Sequence, residues 1–253
     1  MLTACGGSST ENAQQAPESY SPLEGRENTV STLAGAGVYR SDDETPSLVK
    51  LVSISGTRDN RVGESNLTID GEGYNFLSDG FEDDLGGYEY VATANLESLS
   101  GKHFTYLGTV GIVTSSNDVP TQGTASYSGE ANVLVYDFLA PSANQFSTYD
   151  VDAAVNADFA AGTVDTLLTG GDNPYVNEIT VSGMTISGNS FSGGTFQTSF
   201  DGVVYNFTGN DTTLASEGHF YGYDITNQIP DEVGGTIFAD GDDGRIIAVY
   251  RAD

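Results

Sequence analysis

Between Tyr149 and Phe159 the chain alternates. Val151, Ala153, Val155, Ala157 and Phe159 fall on one side, and Asp150, Asp152, Asn156 and Asp158 hold most of the other. A period of two marks an antiparallel strand with one buried and one wet face. Ala161-Gly162 then reads as a turn into Thr163-Val-Asp-Thr-Leu-Leu168. Similar runs follow at Val176-Asn-Glu-Ile-Thr-Val181, Gly194-Thr-Phe-Gln-Thr-Ser-Phe200, Gly218-His-Phe-Tyr-Gly-Tyr223, Gly235-Thr-Ile-Phe-Ala239 and Arg245-Ile-Ile-Ala-Val-Tyr250. With Gly123–Gly129 and Ala131–Phe138 ahead of them, the chain from Pro120 onward holds roughly eight to ten short strands. A long open sheet would leave adhesive edges, and closure removes them. The expected fold is all-β, with an eight-stranded antiparallel up-and-down barrel over 120–253.

The first half carries weaker signals of the same kind. Ser47-Leu-Val-Lys-Leu-Val-Ser-Ile54 reads as a strand, as do Gly87-Tyr-Glu-Tyr-Val-Ala92 and the run from Lys102 to Val113. Asn66–Asp70 and Gly73–Leu77 flank Asp70-Gly71, a hairpin turn signal. Asn95–Leu99 reads as a short helix and Phe81–Leu85 as an acidic turn. Thirty-two glycines, 14 tyrosines and 12 phenylalanines suit strands and tight turns. Residues 6 to about 32 are rich in Ser, Glu, Gln, Asn and Pro without apolar periodicity, the composition of a disordered leader. The expected domains are therefore a tether over 1–34, a small β-rich domain over 35–118 and the barrel over 120–253.

Charge narrows the partners. Eight basic against 36 acidic residues give a net charge of −28, and beyond Lys102 the only basic side chains are Arg245 and Arg251. Such a surface repels phosphate backbones, so nucleic acid is excluded as a partner. It also repels anionic lipid headgroups. The charge keeps an exported protein soluble, or it draws in a basic partner or a cation.

The sole cysteine, Cys5, lies in Leu2-Thr3-Ala4-Cys5 and is followed by Gly6-Gly7-Ser8-Ser9. This resembles a bacterial lipobox. Small side chains fit the peptidase just before the cut, and the thiol takes the acyl chain. The Gly/Ser run that follows is a flexible tether. The reading expects a charged and apolar signal segment ahead of Leu2, beyond the printed start. A lone cysteine allows no intrachain disulfide and no cysteine-cluster metal site. No apolar run reaches the ~18 residues that span a bilayer. Membrane attachment is expected only through lipid on Cys5, at the outer membrane and on the cell surface.

Candidate chemistry is sparse. The two histidines, His103 and His219, have aromatic neighbours and are the candidate haem ligands. No other cofactor is expected. Asp240-Gly-Asp-Asp-Gly244 is oxygen-rich, but the twelfth position counted from Asp240 is Arg251, where a calcium loop needs a bidentate Glu. No metal site is expected there. There is no Gly-x-Ser-x-Gly elbow, no His-Glu-x-x-His and no phosphate-cradling loop with a lysine, and no catalytic residue is nominated. The chain reads as a binding protein, not an enzyme.

Three segments carry a more specific likeness: Gly123-Thr-Ala-Ser-Tyr-Ser-Gly129, Val155-Asn-Ala-Asp-Phe-Ala-Ala-Gly-Thr-Val-Asp165 and Asp231-Glu-Val-Gly-Gly-Thr-Ile-Phe238. Their order over about 120–253 resembles the barrel of transferrin-binding-protein-B-like surface lipoproteins. The resemblance implies a handle of strands ahead of the barrel, a lipid anchor on the outer surface, and capture of a host iron-carrier protein or haem. It also implies a TonB-dependent outer-membrane receptor as the downstream partner. A structural or adhesive envelope protein without an uptake role is the alternative. A barrel enclosing a small apolar ligand is a third, although the inward Phe, Leu and Ile favour a filled interior.

Overall fold

The computed structural model describes residues 30–41, 48–59, 64–69, 72–77, 87–97, 104–138, 146–170, 176–200 and 213–253. Cys5, the leader to residue 29, the Phe81–Leu85 segment and His103 lie outside them. Every described element is a strand, and the strands form two antiparallel sheets.

The first sheet is open. It contains β1 (Val30–Ser41), β2 (Leu48–Asp59), β3 (Glu64–Ile69), β4 (Glu72–Leu77), β5 (Val91–Glu97) and β6 (Phe104–Gly111), in the order β4-β3-β2-β1-β6-β5. β3 and β4 form the hairpin expected around Asp70-Gly71, with Ile69 opposite Glu72. Two readings need correction. Residues 95–97 continue β5 and are not helical, because Asn95, Leu96 and Glu97 pair with Leu107, Tyr106 and Thr105. β1 starts at Val30, inside the stretch read as leader, and takes a central place between β2 and β6. Its Leu-Ala-Gly-Ala-Gly-Val core lacks the usual strand formers because the neighbouring strand presses on it. A Cβ at Gly35 would stand 1.8 Å from the carbonyl oxygen of Thr109, so only glycine fits.

The second sheet closes on itself. It comprises β7 (Thr124–Asp137), β8 (Phe146–Asp158), β9 (Thr163–Thr169), β10 (Val176–Ser187), β11 (Ser190–Ser192), β12 (Thr195–Phe200), β13 (Thr213–Tyr221), β14 (Glu232–Asp240) and β15 (Gly244–Ala252). β11 and β12 both pair with β10 and are two parts of one wall strand, interrupted at Gly193-Gly194. Counted so, eight strands follow one another around the ring. β11 joins β13 on one side of the circle, and β15 joins β7 on the other.

The barrel interior is filled by its own side chains. On β8, Val151, Ala153, Val155 and Ala157 point inward while Asp150, Asp152 and Asn156 are exposed, as the alternation requires. Phe159, Phe191 and Phe220 stack near one another, with ring centroids of Phe220 5.6 Å from Phe159 and 5.1 Å from Phe191. Tyr250 is fully buried and accepts a hydrogen bond from Thr166 Oγ1 at 3.4 Å. Tyr127 OH donates to the Pro230 carbonyl at 3.1 Å.

β14 and β15 are buried on both faces. Val233, Ile237, Ala239, Ile246, Ala248 and Tyr250 belong to the barrel core. Phe238 and Ile247 turn the other way and pack with Val38 of β1, flanked by Val49, Leu51, Leu107 and Leu134. The open sheet therefore lies against this wall of the barrel. This explains why the two strands read as nearly continuous apolar runs and not as alternating ones.

Candidate functional site

The best-defined polar chemistry lies where the open sheet meets the barrel. Glu232, the first residue of β14, is buried at 3 % exposure. Its carboxylate accepts the backbone N–H of Glu89 at 2.5 Å, of Tyr90 at 2.9 Å and of Val91 at 2.8 Å. Burial pushes its pKa up to about 7, against the three amides that favour the ionised form, and the neighbouring Asp231 raises it further. Asp231 itself is raised by burial and then by Asp224, Glu89 and Asp253.

Other polar bonds cross the same junction. Thr236 Oγ1 donates to the Ala36 carbonyl at 2.9 Å, and Thr114 Oγ1 donates to the Gly222 carbonyl at 2.7 Å. The hydroxyls of Thr109 and Tyr221 lie 3.3 Å apart. Ser53 Oγ donates to Glu217 at 2.6 Å. Gly222 has a φ of +61°, and a Cβ there would enter the Tyr90 ring. The turn after β13 thus depends on glycine for both its backbone angle and its room.

His219 sits on β13, on the face turned toward the open sheet, with its ring 6.3 Å from Tyr221. It is 8 % exposed, and its Nδ1 has no hydrogen-bond partner. Burial lowers its pKa to about 4, so the ring is neutral at physiological pH. It lines neither of the two clefts described below. The other candidate, His103, lies outside the described residues.

The outer wall of β7 and β8 is acidic. Glu130, Asp150, Asp152 and, on β9, Asp165 are exposed. Beside it a cleft of about 160 Å³ runs between β5 and the barrel, lined by Thr93, Glu130, Asn132, Asp150 and Arg251 among others. Arg251 Nη2 donates to Glu130 at 2.6 Å, and its guanidinium lies 4.6 Å from the Tyr88 ring centre. A second, apolar pocket of about 40 Å³ lies at the break between β11 and β12, lined by Val181, Phe196, Leu214 and Ile237 among others. Asp240, of the oxygen-rich run, is engaged by an arginine. It takes two hydrogen bonds from Arg245, at 3.1 and 3.0 Å, across the β14–β15 turn, and the described residues hold no cluster of three or more metal-ligating side chains.

Sequence reasoning missed Glu232. Its signal was there: a glutamate inside Asp231-Glu-Val-Gly-Gly-Thr-Ile-Phe238, a run otherwise fit for a buried strand. A charge in such a run is rarely buried unless backbone or a counter-charge meets it.

The comparisons agree with this architecture. The family of C-lobe and N-lobe β-barrels of transferrin-binding protein B matches residues 119–253. No curated protein matches the chain in sequence. Among solved structures, a point mutant of transferrin-binding protein B from Haemophilus parasuis Hp5 is 19 % identical with a TM-score of 0.54, covering 87 % of this chain and 44 % of that one. The isotype 1 transferrin-binding protein B of serogroup B Neisseria meningitidis is 17 % identical with a TM-score of 0.51, covering 88 % and 43 %. The chain thus spans less than half the length of either protein, and at these identities the likeness is one of fold. With the family pattern covering more than half of its 253 residues, the chain belongs to the transferrin-binding-protein-B barrel family.

Proposed function

We propose that this chain is a surface binding protein that captures a host iron-carrier protein for an outer-membrane uptake system. The observation that carries the reading is the family match over the whole barrel, residues 119–253. Fold alone does not fix a ligand, but two solved structures of similar fold, those described above, are both named for transferrin binding. The lipobox-like Leu2–Cys5 supports a lipid tether that holds the protein on the outer face of the outer membrane. The net charge of −28 and the exposed carboxylates of β7 to β9 favour a basic patch on the partner and fast association that weakens with salt. A TonB-dependent receptor is the partner to which cargo would pass.

The test is capture on immobilised protein. Transferrin, lactoferrin and haemoglobin are passed over it at low and at high salt, and the purified protein is scanned for haem absorbance. Retention of one carrier, weakened by salt, is expected. If no carrier is retained and no haem band appears, the uptake reading fails and a structural or adhesive envelope role takes its place.

A further inference from the structure

The open sheet stops at β5, just where the acidic wall of the barrel begins. Among the described residues, β6 is the one strand partner of β5. On the side of β6 the Tyr90 carbonyl accepts the Ile112 N–H at 2.9 Å, while the Val91 N–H turns the other way, to Glu232. An antiparallel ladder directs successive residues to opposite sides. The main-chain N–H and C=O of Thr93 and Asn95 therefore point to the outer edge of β5. That strand holds neither lysine nor proline, the residues that commonly blunt an edge.

What lies beside the edge follows from how the sheets stack. Thr236 bonds to Ala36 and Phe238 packs with Val38, so β1 runs along β14. β6 lies against β14 and β15, and β5 against β15. The next strand position beyond β5 thus falls over β7 and β8. Its floor is made of two outward rows in register across β15, β7 and β8: Arg251, Glu130 and Asp152, then Val249, Asn132 and Asp150. Glu130, Asp150 and Asp152 are exposed. Arg251 is already engaged by Glu130, which leaves the floor negative. The cleft of about 160 Å³ between Thr93 and this floor is lined by Asp150 and by the apolar Val249.

We propose that the outer edge of β5 docks an extended, lysine- or arginine-bearing segment of a partner protein, which joins the open sheet as a further strand. Main-chain bonds to Thr93 and Asn95 hold the segment. Alternate side chains then point down onto the barrel. An aliphatic stem crosses Val249, and its cation reaches Asp150 and Asp152. A second copy of this chain fits poorly, because two chains of net charge −28 would bring like charges together. Neither iron nor haem enters this recognition, so it can fail while carrier capture holds, and the reverse.

The experiment titrates the full chain into a fluorescent peptide of alternating lysine and threonine at low salt, read by anisotropy. Binding is expected, with slower amide exchange at Thr93 and Asn95. Methylating the backbone nitrogens along one edge of the peptide keeps its charge and removes its donors, and should weaken binding about 10-fold. Asp150→Lys/Asp152→Lys should weaken it by a similar factor, about 10-fold. Glu178→Lys/Asp242→Lys makes the same change in net charge at exposed sites on β10 and in the β14–β15 turn, and should weaken it less than about 3-fold. Equal affinity for the methylated peptide, or an equal loss in Glu178→Lys/Asp242→Lys, overturns the site, because charge alone then binds. Absence of binding overturns it as well. The methylated peptide needs no variant, so a failure of the variants to fold leaves the decision intact.

Discussion

Arg251 Nε and Nη2 both donate to one oxygen of Glu130, at 3.0 and 2.6 Å, yet the two partners live in different surroundings. The side chain of Arg251 is 7 % exposed and that of Glu130 is 61 % exposed. Removing the acid leaves a cation that still lies over Tyr88. Removing the base leaves a gap at the junction. Glu130→Ala is therefore expected to cost less than about 1 kcal/mol, and Arg251→Ala about 2–3 kcal/mol. Equilibrium unfolding in urea gives both values, and equal costs would contradict this account.

Phe220 holds the aromatic cluster of the barrel together, between Phe159 and Phe191. Truncation to alanine leaves a void that the closed wall cannot collapse to fill. A loss of about 3–5 kcal/mol is expected. A thermal melt that shifts by no more than a surface substitution does would show that the barrel interior is looser than described.

Gly35→Ala tests the open sheet separately. The new methyl meets the Thr109 carbonyl, a backbone atom that cannot step aside. β1 and β6 must part, at a cost of about 1–3 kcal/mol. Amide exchange should quicken in β1 and β6 and leave β8 and β9 unchanged. Uniform quickening throughout would mean that the two sheets unfold as one unit.

Acid should weaken the protein through His219. Its pKa in the folded state is about 4, below the ordinary 6.5. The unfolded chain thus binds the extra proton in that window, and stability is complete above 6.5 and lost as pH falls toward 4. The full effect is on the order of 3 kcal/mol. Comparing urea midpoints of the protein and of His219→Gln across this range isolates it. Parallel curves would place the imidazole in contact with water.

Where one face is buried and the other wet, the sequence was easy to read. Val151 to Phe159 alternate in the structure as they do on paper, because a one-residue slip would put Asp150 and Asp152 in the core. The Asp-Gly hairpin was legible for a local reason, since its turn chemistry needs no distant partner. β1 was not legible. Its Gly35 and Gly37 are set by the approach of β6, some seventy positions along the chain, and nothing nearby announces that neighbour. Asn95–Glu97 misled for a similar reason. Their strand state comes from pairing with β6 and not from their own preference. Glu232 was hidden because its partners are main-chain amides, which no side-chain motif records.

The wall formed by β14 and β15 serves two compartments at once. Cutting the chain ahead of Val119 to obtain the barrel alone would strip the cover from Phe238, Ile247 and Leu134 and wet a greasy flank. Such a fragment should clump unless those three positions are repainted with hydrophilic residues, so any shortened version is safer keeping both halves joined.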